Sequence, residues 1–302
     1  LSRTAPAYAL APDAPERERR LELARWIVDD ANPLPARVMA NRLWHYHFGT
    51  GIVSTPSDLG FMGTLPTHPE LLDWLAHQIM KPAAGEHAAW RLKRMHKTIL
   101  LSQTYRQAGT YRRDAAALDA DARLLWRFPP RRLTGEELRD SMLAVSGVLD
   151  SRMGGPGFRL YHYIRDNVAS YIPLDEYGPE TYRRSVYHQN ARASRIDLMT
   201  DFDAPDCAMS APRRVSTTTP LQALTLMNHS FTFDMAEALS ARVLAEVADE
   251  PIESQIERVF ELVVSRTPTD EERDDAIEFA RDFGVSALCR AMFNTNEFLY
   301  LN

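Results

Sequence analysis

The first group of side chains that could do chemistry lies near the N-terminal end of the chain. Arg37, Asn41 and His45 are spaced four residues apart, which places them along one stripe of a helix. A row of guanidinium, amide and imidazole groups could face a bound ligand. His47 falls in the middle of the apolar face of the same helix. It is either a hydrogen-bonded core residue or a general base or ligand beneath the turn at Gly49–Gly51.

Acidic side chains form the second group. Asp201, Asp203 and Asp206 put three carboxylates within six residues. Oxygen-rich loops suit Ca²⁺, but the spacing and the central glycine of an EF-hand are missing, and turn-forming aspartates are the alternative interpretation. Asp73 and His77 are one helical turn apart and could share a metal ion, although two ligands do not make a site. We therefore predict no metal site.

Asp58 and Asp140 are further acidic candidates, and Asp140 directly follows Arg139. Two carboxylates could act as general acid and base in glycoside hydrolysis. The separation that such a pair requires cannot be read from a sequence. Arg139, Asp140, Asp58 and Asp203 are therefore candidate ligand-binding residues without an assigned catalytic role.

Two adjacent arginines, Arg213 and Arg214, precede a predicted helix that opens at Thr219–Pro220. A forked guanidinium binds sulfate or carboxylate in a geometry that lysine cannot copy, and a helix N-terminus favours anions. The pair is thus a candidate anion contact. The alternative is that both arginines pair with the aspartates of segment 201–206.

No complete catalytic signature is present in the 302 residues. The motifs Gly-x-Ser-x-Gly, His-Glu-x-x-His and Gly-x-Gly-x-x-Gly are missing from the sequence, as is a P-loop. Two cysteines, Cys207 and Cys289, either form one disulfide or stay as two thiols. Neither belongs to a Cys-x-x-Cys-His motif, so this segment is expected to carry no haem of its own and no other cofactor.

The elements that must position these residues are mostly helices. Thr67, Thr134, Thr219 and Thr269 are each followed three positions later by Glu or Gln, which is the pattern of a capping box at a helix start. Apolar residues recur at helical spacing after these boxes. Further helices are predicted at about 17–29, 35–48, 91–106, 230–247 and 286–293.

The helical periodicity fails between Gly154 and Arg214, where only a short β-like run, Ser185–His188, is predicted. The predicted fold class is therefore mainly α, a multi-helix globular domain with a long irregular insertion that contains this run. We predict a single large domain over residues 1–302. Its parts are an N-terminal helical half at 17–150, the insertion at 151–219 and a C-terminal helical half at 220–302.

Charge is unevenly distributed in a chain whose net charge is −6. Eleven lysines and arginines but only three aspartates lie between Arg91 and Arg132, which is either a solvated helical face or a surface for an anionic partner. The negative total and the lack of a groove-reading motif predict no nucleic-acid partner. No apolar stretch reaches the length of about 18 residues that a membrane span needs. The start at Leu1, without a leader, suggests a fragment of a longer protein.

Several long motifs, in a fixed order, carry a family resemblance from about Arg20 to Asn302. The motifs are Asn32–Leu34, Ala36–Trp44, His47–Val53, Asp58–Gly60, Thr67–Ala76, Arg131–Leu133, Arg139–Asp140, Ser146–Gly147, Phe202–Asp206, Thr218–Leu224 and Asn294–Tyr300. Together they resemble the C-terminal domain of unknown function 1553 (PSD family) of planctomycete-type secreted proteins that often carry a cytochrome c module. The sequence departs from that pattern at His188–Asn190, where relatives continue an apolar and then basic strand.

The resemblance implies an extracytoplasmic protein, periplasmic or secreted, that takes part in degradation of complex and often sulfated polysaccharide. It also implies that the partners are the preceding domains of the same protein, including the cytochrome c module. The leading hypothesis is a helical domain that binds or helps to process anionic polysaccharide. Two alternatives are open: a carbohydrate-active hydrolase in its own right, and a structural scaffold that docks the haem module for electron transfer.

Overall fold

A computed structural model describes residues 10–81, 89–192, 194–248 and 250–301. In these ranges the chain forms thirteen α-helices and four short strands, which confirms the predicted mainly α class. None of the described helices combines the length and the apolar composition that crossing a bilayer requires. The chain divides into two compact units, with the boundary between Arg131 and Arg132.

Unit 1 comprises the described residues up to Arg131. Its five helices are α1 (Glu16–Val28), α2 (Leu34–Phe48), α3 (Pro69–Met80), α4 (Leu92–Leu100) and α5 (Arg113–Leu118). Helix α2 ends at Gly49, whose φ of 77° allows the left-handed cap that a glycine adopts without strain. Helix α4 stops at Leu100, six residues before the predicted end.

The core of unit 1 is formed mainly by the apolar faces of α2, α3 and α4. Trp44 and Phe48 stack at 4.2 Å between ring centroids, and Phe128 packs against Phe48. The predicted capping box at Thr67 does not form, and this prediction was wrong. The backbone N–H of Thr67 donates instead to the carbonyl of Ile52 at 3.0 Å, and His68 becomes the N-cap.

Unit 2 comprises residues 132–301, and the largest core of the described chain lies there. Strand β1 (Arg131–Arg132) leads into α6 (Gly135–Val145). A predicted box starts this helix, since Thr134 accepts from the N–H of Glu137 and the Glu137 carboxylate accepts from the N–H of Thr134. The helices of the C-terminal part are α8 (Pro220–Asn228), α9 (Ser230–Glu246), α10 (Ile252–Val264), α11 (Asp270–Phe283), α12 (Val285–Phe293) and α13 (Asn296–Leu299), followed by β4 (Tyr300–Leu301).

The predicted insertion, residues 151–219, is more ordered than its sequence indicated. It contains the antiparallel hairpin β2 (Tyr161–Arg165) and β3 (Ala169–Pro173), two 3₁₀ turns and the short helix α7 (Asp197–Asp201). The strands therefore do not lie where the β-like run was predicted. Ser185–Tyr187 is a 3₁₀ turn, and only His188 forms an isolated bridge, to Phe158.

Candidate functional site

An open groove in unit 2 has a volume of about 950 Å³. It lies on the insertion, between the chain around Phe158 and the two 3₁₀ turns. Both polar and aromatic side chains line it, as is usual for a binding site. The lining residues are Pro156, Gly157, Phe158, Arg159, Glu180, Thr181, Val186, Tyr187, His188 and Gln189.

Helix α6 supports the groove through Arg139, which is 1% exposed. Its guanidinium donates to the carbonyl of Arg183 at 2.9 Å, to the carbonyl of Thr181 and to Ser185 Oγ at 3.3 Å. It also lies over the rings of Phe158 and Phe231, at 5.1 and 5.2 Å from the ring centroids. Burial lowers the pKa of Arg139 to about 10, so the side chain is still a cation at neutral pH.

Asp140, the next residue of α6, fixes the second 3₁₀ turn. Its Oδ1 accepts hydrogen bonds from both the N–H and the hydroxyl of Ser185, each at 2.7 Å. The same carboxylate lies 3.8 Å from the Arg139 guanidinium and 3.7 Å from that of Arg184. The structure thus brings the candidates Arg139 and Asp140 together, with the carboxylate occupied in positioning backbone.

A second buried arginine, Arg183, organises the glycine-rich loop that forms one wall of the groove. It donates to the carbonyls of Arg152, Gly154 and Pro156 at 3.0, 2.6 and 2.8 Å. Its guanidinium carbon lies 4.0 Å from the centroid of the Tyr187 ring. Gly154 and the following glycine both have φ of 76°, a conformation in which a side chain would be strained.

The surroundings of His188, a titratable residue of the groove, shift its pKa strongly. Burial, and then the positive charge of Arg139, lower the pKa of His188 to about 4, so the imidazole is neutral at pH 7. Its Nε2 atom is buried and has no hydrogen-bond partner among the described residues. The neutral ring therefore adds no charge to the groove, and its buried Nε2 atom is not accessible to a ligand.

The mouth of the groove carries planar polar side chains. Arg159 Nε donates to Gln189 Oε1 at 2.7 Å, which holds the two groups side by side. The backbone N–H of Gln189 donates to the carbonyl of Phe158 at 2.7 Å, so the pair is tied to the wall. Glu180 is the one carboxylate among the described lining residues, and its side chain is exposed.

The predicted anion contacts have different surroundings. Arg214 makes a two-fold ion pair with Glu136 in the first turn of α6, with one contact at 2.7 Å. Burial alone would raise the pKa of Glu136, but the hydrogen bond from Arg214 keeps it below its usual value. Arg213 is exposed and has no ion pair within the described residues. The ion pair of Arg214 is thus made with a carboxylate outside segment 201–206.

Asp203 belongs to a separate network at the start of unit 2. Its Oδ2 accepts from Arg132 at 2.6 Å and from the N–H of Thr217 at 2.8 Å, while its Oδ1 accepts from the Thr217 hydroxyl at 2.8 Å. Asp201 accepts from Thr225, and Asp206 closes a local turn. The three carboxylates therefore have different partners. No group of three or more metal-ligating side chains occurs in the part of the chain that the structure describes.

The candidates of unit 1 have largely structural partners. Arg37 donates to Asp73 at 2.6 Å. Asn41 is 1% exposed, and its amide both accepts from the Val53 N–H at 2.8 Å and donates to the Val53 carbonyl at 3.0 Å. His45 is half-buried, with its ring 5.8 Å from that of the adjacent tyrosine.

His47 and Asp58 complete the set of predicted residues. His47 Nε2 lies 2.9 Å from His96 Nδ1, and its ring also contacts Tyr105. Burial, followed by the charges of His96 and Arg131, lowers the pKa of His47. Asp58 Oδ1 accepts from the N–H of Gly60 at 2.8 Å, which is a turn-forming contact.

The two cysteines are separate thiols. Cys207 is exposed, and Cys289 is fully buried in α12. Burial raises the pKa of the Cys289 thiol to about 12. The structure therefore selects the two-thiol alternative.

Sequence reasoning missed the groove because its residues are brought together by contacts over long sequence separations. His188 was noted as the end of a β-like run and as a departure from a family pattern, and Arg183 had no motif around it. The glycine-rich run at 154–157 was the one usable signal, since consecutive glycines allow close approach of backbone segments. A Cβ on Gly157 would lie 2.5 Å from the carbonyl oxygen of Tyr187.

Comparison with known proteins identifies one family. The family model described as PSD1, a protein of unknown function (DUF1553), matches residues 19–280 of the chain. No curated protein and no solved structure matches the sequence.

Proposed function

The chain belongs to the PSD1 family (DUF1553), as its motifs predicted, and we propose that the groove of unit 2 binds an acidic polysaccharide. The observation that carries the proposal is a pair of exposed planar polar groups at the mouth of the groove. Arg159 and Gln189 lie side by side there, joined by a hydrogen bond of 2.7 Å. Sugar hydroxyls and the anionic groups of a polysaccharide bind such planar groups.

The charge of the groove favours a ligand with sulfate or carboxylate groups. Arg159 lies at the mouth, and the cations Arg139 and Arg183 lie buried behind the lining. Two carboxylates offset part of this positive charge, Glu180 at the rim and Asp140 behind it. The net positive potential attracts an anion, because charges in a partly buried region are weakly screened.

Binding is better supported than hydrolysis. Glycoside hydrolysis uses two carboxyl groups on either side of the bond that is cleaved. Glu180 alone supplies a carboxylate among the described lining residues, whereas Asp140 and Asp203 accept structural hydrogen bonds. We therefore propose a binding domain that helps other domains to process the polymer.

The compartment and the partner modules are part of the same proposal. We place the binding outside the cytoplasm, in a longer protein with a cytochrome c module, and no haem or other cofactor in this segment. The motif resemblance supports this part. A full-length protein that stays in the cytoplasm, or that lacks haem absorbance after expression with haem-maturation machinery, would contradict it.

The binding test compares single substitutions at the mouth of the groove with a matched control. Arg159→Ala and Gln189→Ala should each weaken binding of the whole chain to dextran sulfate or a uronic-acid polymer by about tenfold. This size follows from the loss of one hydrogen bond to a charged group, about 1.5 kcal/mol. Arg195→Ala removes an exposed arginine that does not line the groove and should leave binding unchanged.

Calorimetric titration at constant salt measures these affinities, and circular dichroism confirms that each variant is folded. Equal affinity of the parent and both groove variants would overturn the proposal. A parallel assay for new reducing ends separates binding from hydrolysis. Release of reducing ends by the parent, abolished in Glu180→Gln, would establish the hydrolase alternative.

A further inference from the structure

Two arginines of unit 1 pack on one aromatic platform, which is formed by the rings of Trp126 and Tyr111. The guanidinium carbon of Arg112 lies 5.5 Å from the centroid of Trp126, and that of Arg127 lies 4.9 Å from the same centroid. Arg127 also lies 5.5 Å from the centroid of Tyr111. The two cations are therefore within about 10 Å of each other. We call these four residues the arginine–aromatic patch.

Within the described residues, the charges of the patch have no carboxylate partner. Among the described residues no acidic side chain forms an ion pair with Arg112 or Arg127, whose hydrogen bonds are long ones of 3.4 Å to backbone carbonyls. The carboxylate of Asp119 accepts instead from the backbone N–H groups of Arg123 and Leu124, at 3.0 and 2.7 Å. Two neighbouring cations without a counter-ion repel each other, and an external anion would relieve this repulsion.

The platform itself is held in place. The indole N–H of Trp126 donates to the carbonyl of Asp119 at 2.8 Å. The Tyr111 ring is 62% exposed and lies edge-on to Trp126 at 6.3 Å. Because the rings fix the guanidinium planes, less side-chain entropy is lost when their N–H groups bind a ligand.

The surroundings add to the positive potential. Arg106 and Arg113 are exposed and have no ion pair within the described ranges. Both belong to the basic tract that begins at Arg91, in which eleven basic residues outnumber three aspartates. A cluster of this kind on a protein of net negative charge localises binding of a polyanion to one face.

We infer that the arginine–aromatic patch is a second, independent binding surface, for the sulfate groups of a sulfated polysaccharide. The forked edges of two guanidinium groups match successive sulfates on a linear chain, and each contact is charge-assisted. A single-stranded nucleic acid binds mainly by stacking of its bases on open aromatic faces. Here Trp126 carries two guanidinium groups, so a base would have to displace a cation in order to stack on this ring.

The test uses the whole chain with immobilised dextran sulfate, unsulfated dextran and a single-stranded DNA oligonucleotide. Arg112→Gln combined with Arg127→Gln should weaken binding to dextran sulfate by about tenfold, since an exposed ionic contact is worth up to about fivefold. The salt dependence of binding between about 50 and 200 mM should also become shallower. Arg17→Gln combined with Arg20→Gln on α1 changes the net charge equally and should not change the affinity.

A second variant separates the contribution of the aromatic rings to binding from that of net charge. Tyr111→Ala removes an exposed ring but no charge, and it should weaken dextran sulfate binding by about threefold because Arg127 loses one of its supports. Equal affinity of the double arginine variant and its control would overturn the inference, and so would DNA binding as tight as dextran sulfate binding. All comparisons are repeated in the Gln189→Ala background. The patch is thereby tested whether or not the groove binds polysaccharide.

Discussion

Replacement of Asn41 by aspartate tests whether the buried amide of this residue stabilises the fold of unit 1. Asn41 accepts from the Val53 N–H through Oδ1 and donates to the Val53 carbonyl through Nδ2. Asn41→Asp keeps the acceptor. It replaces the donor with a carboxylate oxygen that faces the Val53 carbonyl oxygen at a separation of about 3 Å.

The expected loss of stability at pH 8 is about 4 kcal/mol. Roughly 1 kcal/mol comes from the lost hydrogen bond, and about 1–3 kcal/mol from the buried carbonyl left without a donor. The remainder is the cost of an ionised carboxylate at a position that is 1% exposed. The backbone has little room to adjust, because a Cβ on Gly51 would already lie 2.7 Å from the Asn41 side chain.

The loss should depend on pH with a defined sign. Burial beside a carbonyl raises the folded-state pKa of the new aspartate above about 3.9, the unfolded value. A group whose folded pKa is raised stabilises the fold at low pH, and this contribution disappears as the pH rises through the folded pKa. Below that pKa the protonated acid can donate to Val53. The difference in unfolding free energy between parent and variant should therefore be smaller at pH 5 than at pH 8.

Tryptophan fluorescence during urea unfolding is a selective assay, because all five tryptophans of the chain lie in unit 1. Gln103→Glu is the matched control, since it makes the same amide-to-carboxylate change on an exposed side chain of unit 1. A variant as stable as the parent at pH 8, or a gap that widens as the pH falls, would refute the assignment of Asn41.

Three further predictions concern unit 2. Because the folded pKa of His188 is about 4 and the unfolded value 6.5, folding stability should fall as the pH drops below about 6.5. The pKa shift corresponds to about 3 kcal/mol of folding free energy, or to about 2 kcal/mol when discounted for the partial exposure of the ring. Urea unfolding followed by circular dichroism should therefore show that the stability of His188→Gln depends less on pH than that of the parent. Arg139→Leu should destabilise unit 2 by about 3 kcal/mol, because the carbonyls of Thr181 and Arg183 lose their donor. Thermal unfolding checks this, and a variant as stable as the parent contradicts it. One thiol per chain, Cys207, should react with a thiol reagent in the folded protein, and Cys289 only after denaturation. Mass spectrometry of the labelled peptides tells the two apart, and rapid labelling of Cys289 in the native state would contradict its burial.

Local sequence determined most of the helices. Thr134 and Thr269 form the predicted capping boxes because the hydroxyl, the N–H and the carboxylate that make a box lie within four residues. In α10 the apolar residues recur at helical spacing, and those on the resulting face, among them Ile256 and Val259, are buried. Such features need no information from distant parts of the chain.

Contacts between distant segments decided the rest. The same box pattern at Thr67 does not form, because Thr67 bonds to Ile52. The predicted β-like run became a 3₁₀ turn at Ser185, whose N–H and hydroxyl bind Asp140, 45 residues away. Sequence spacing cannot determine which of two competing hydrogen bonds is made when one partner is distant.

The groove depends wholly on the tertiary structure. Arg139 was a predicted candidate by its motif, but its role in supporting the loop of Thr181–His188 arises from carbonyls more than 40 residues away. The neutral state of His188 results from burial and from the charge of Arg139, neither of which a sequence specifies. Residue types and local spacing thus determined the helices and several of the functional groups. Only the packing of the loops decided which groups face a ligand and which hold the backbone.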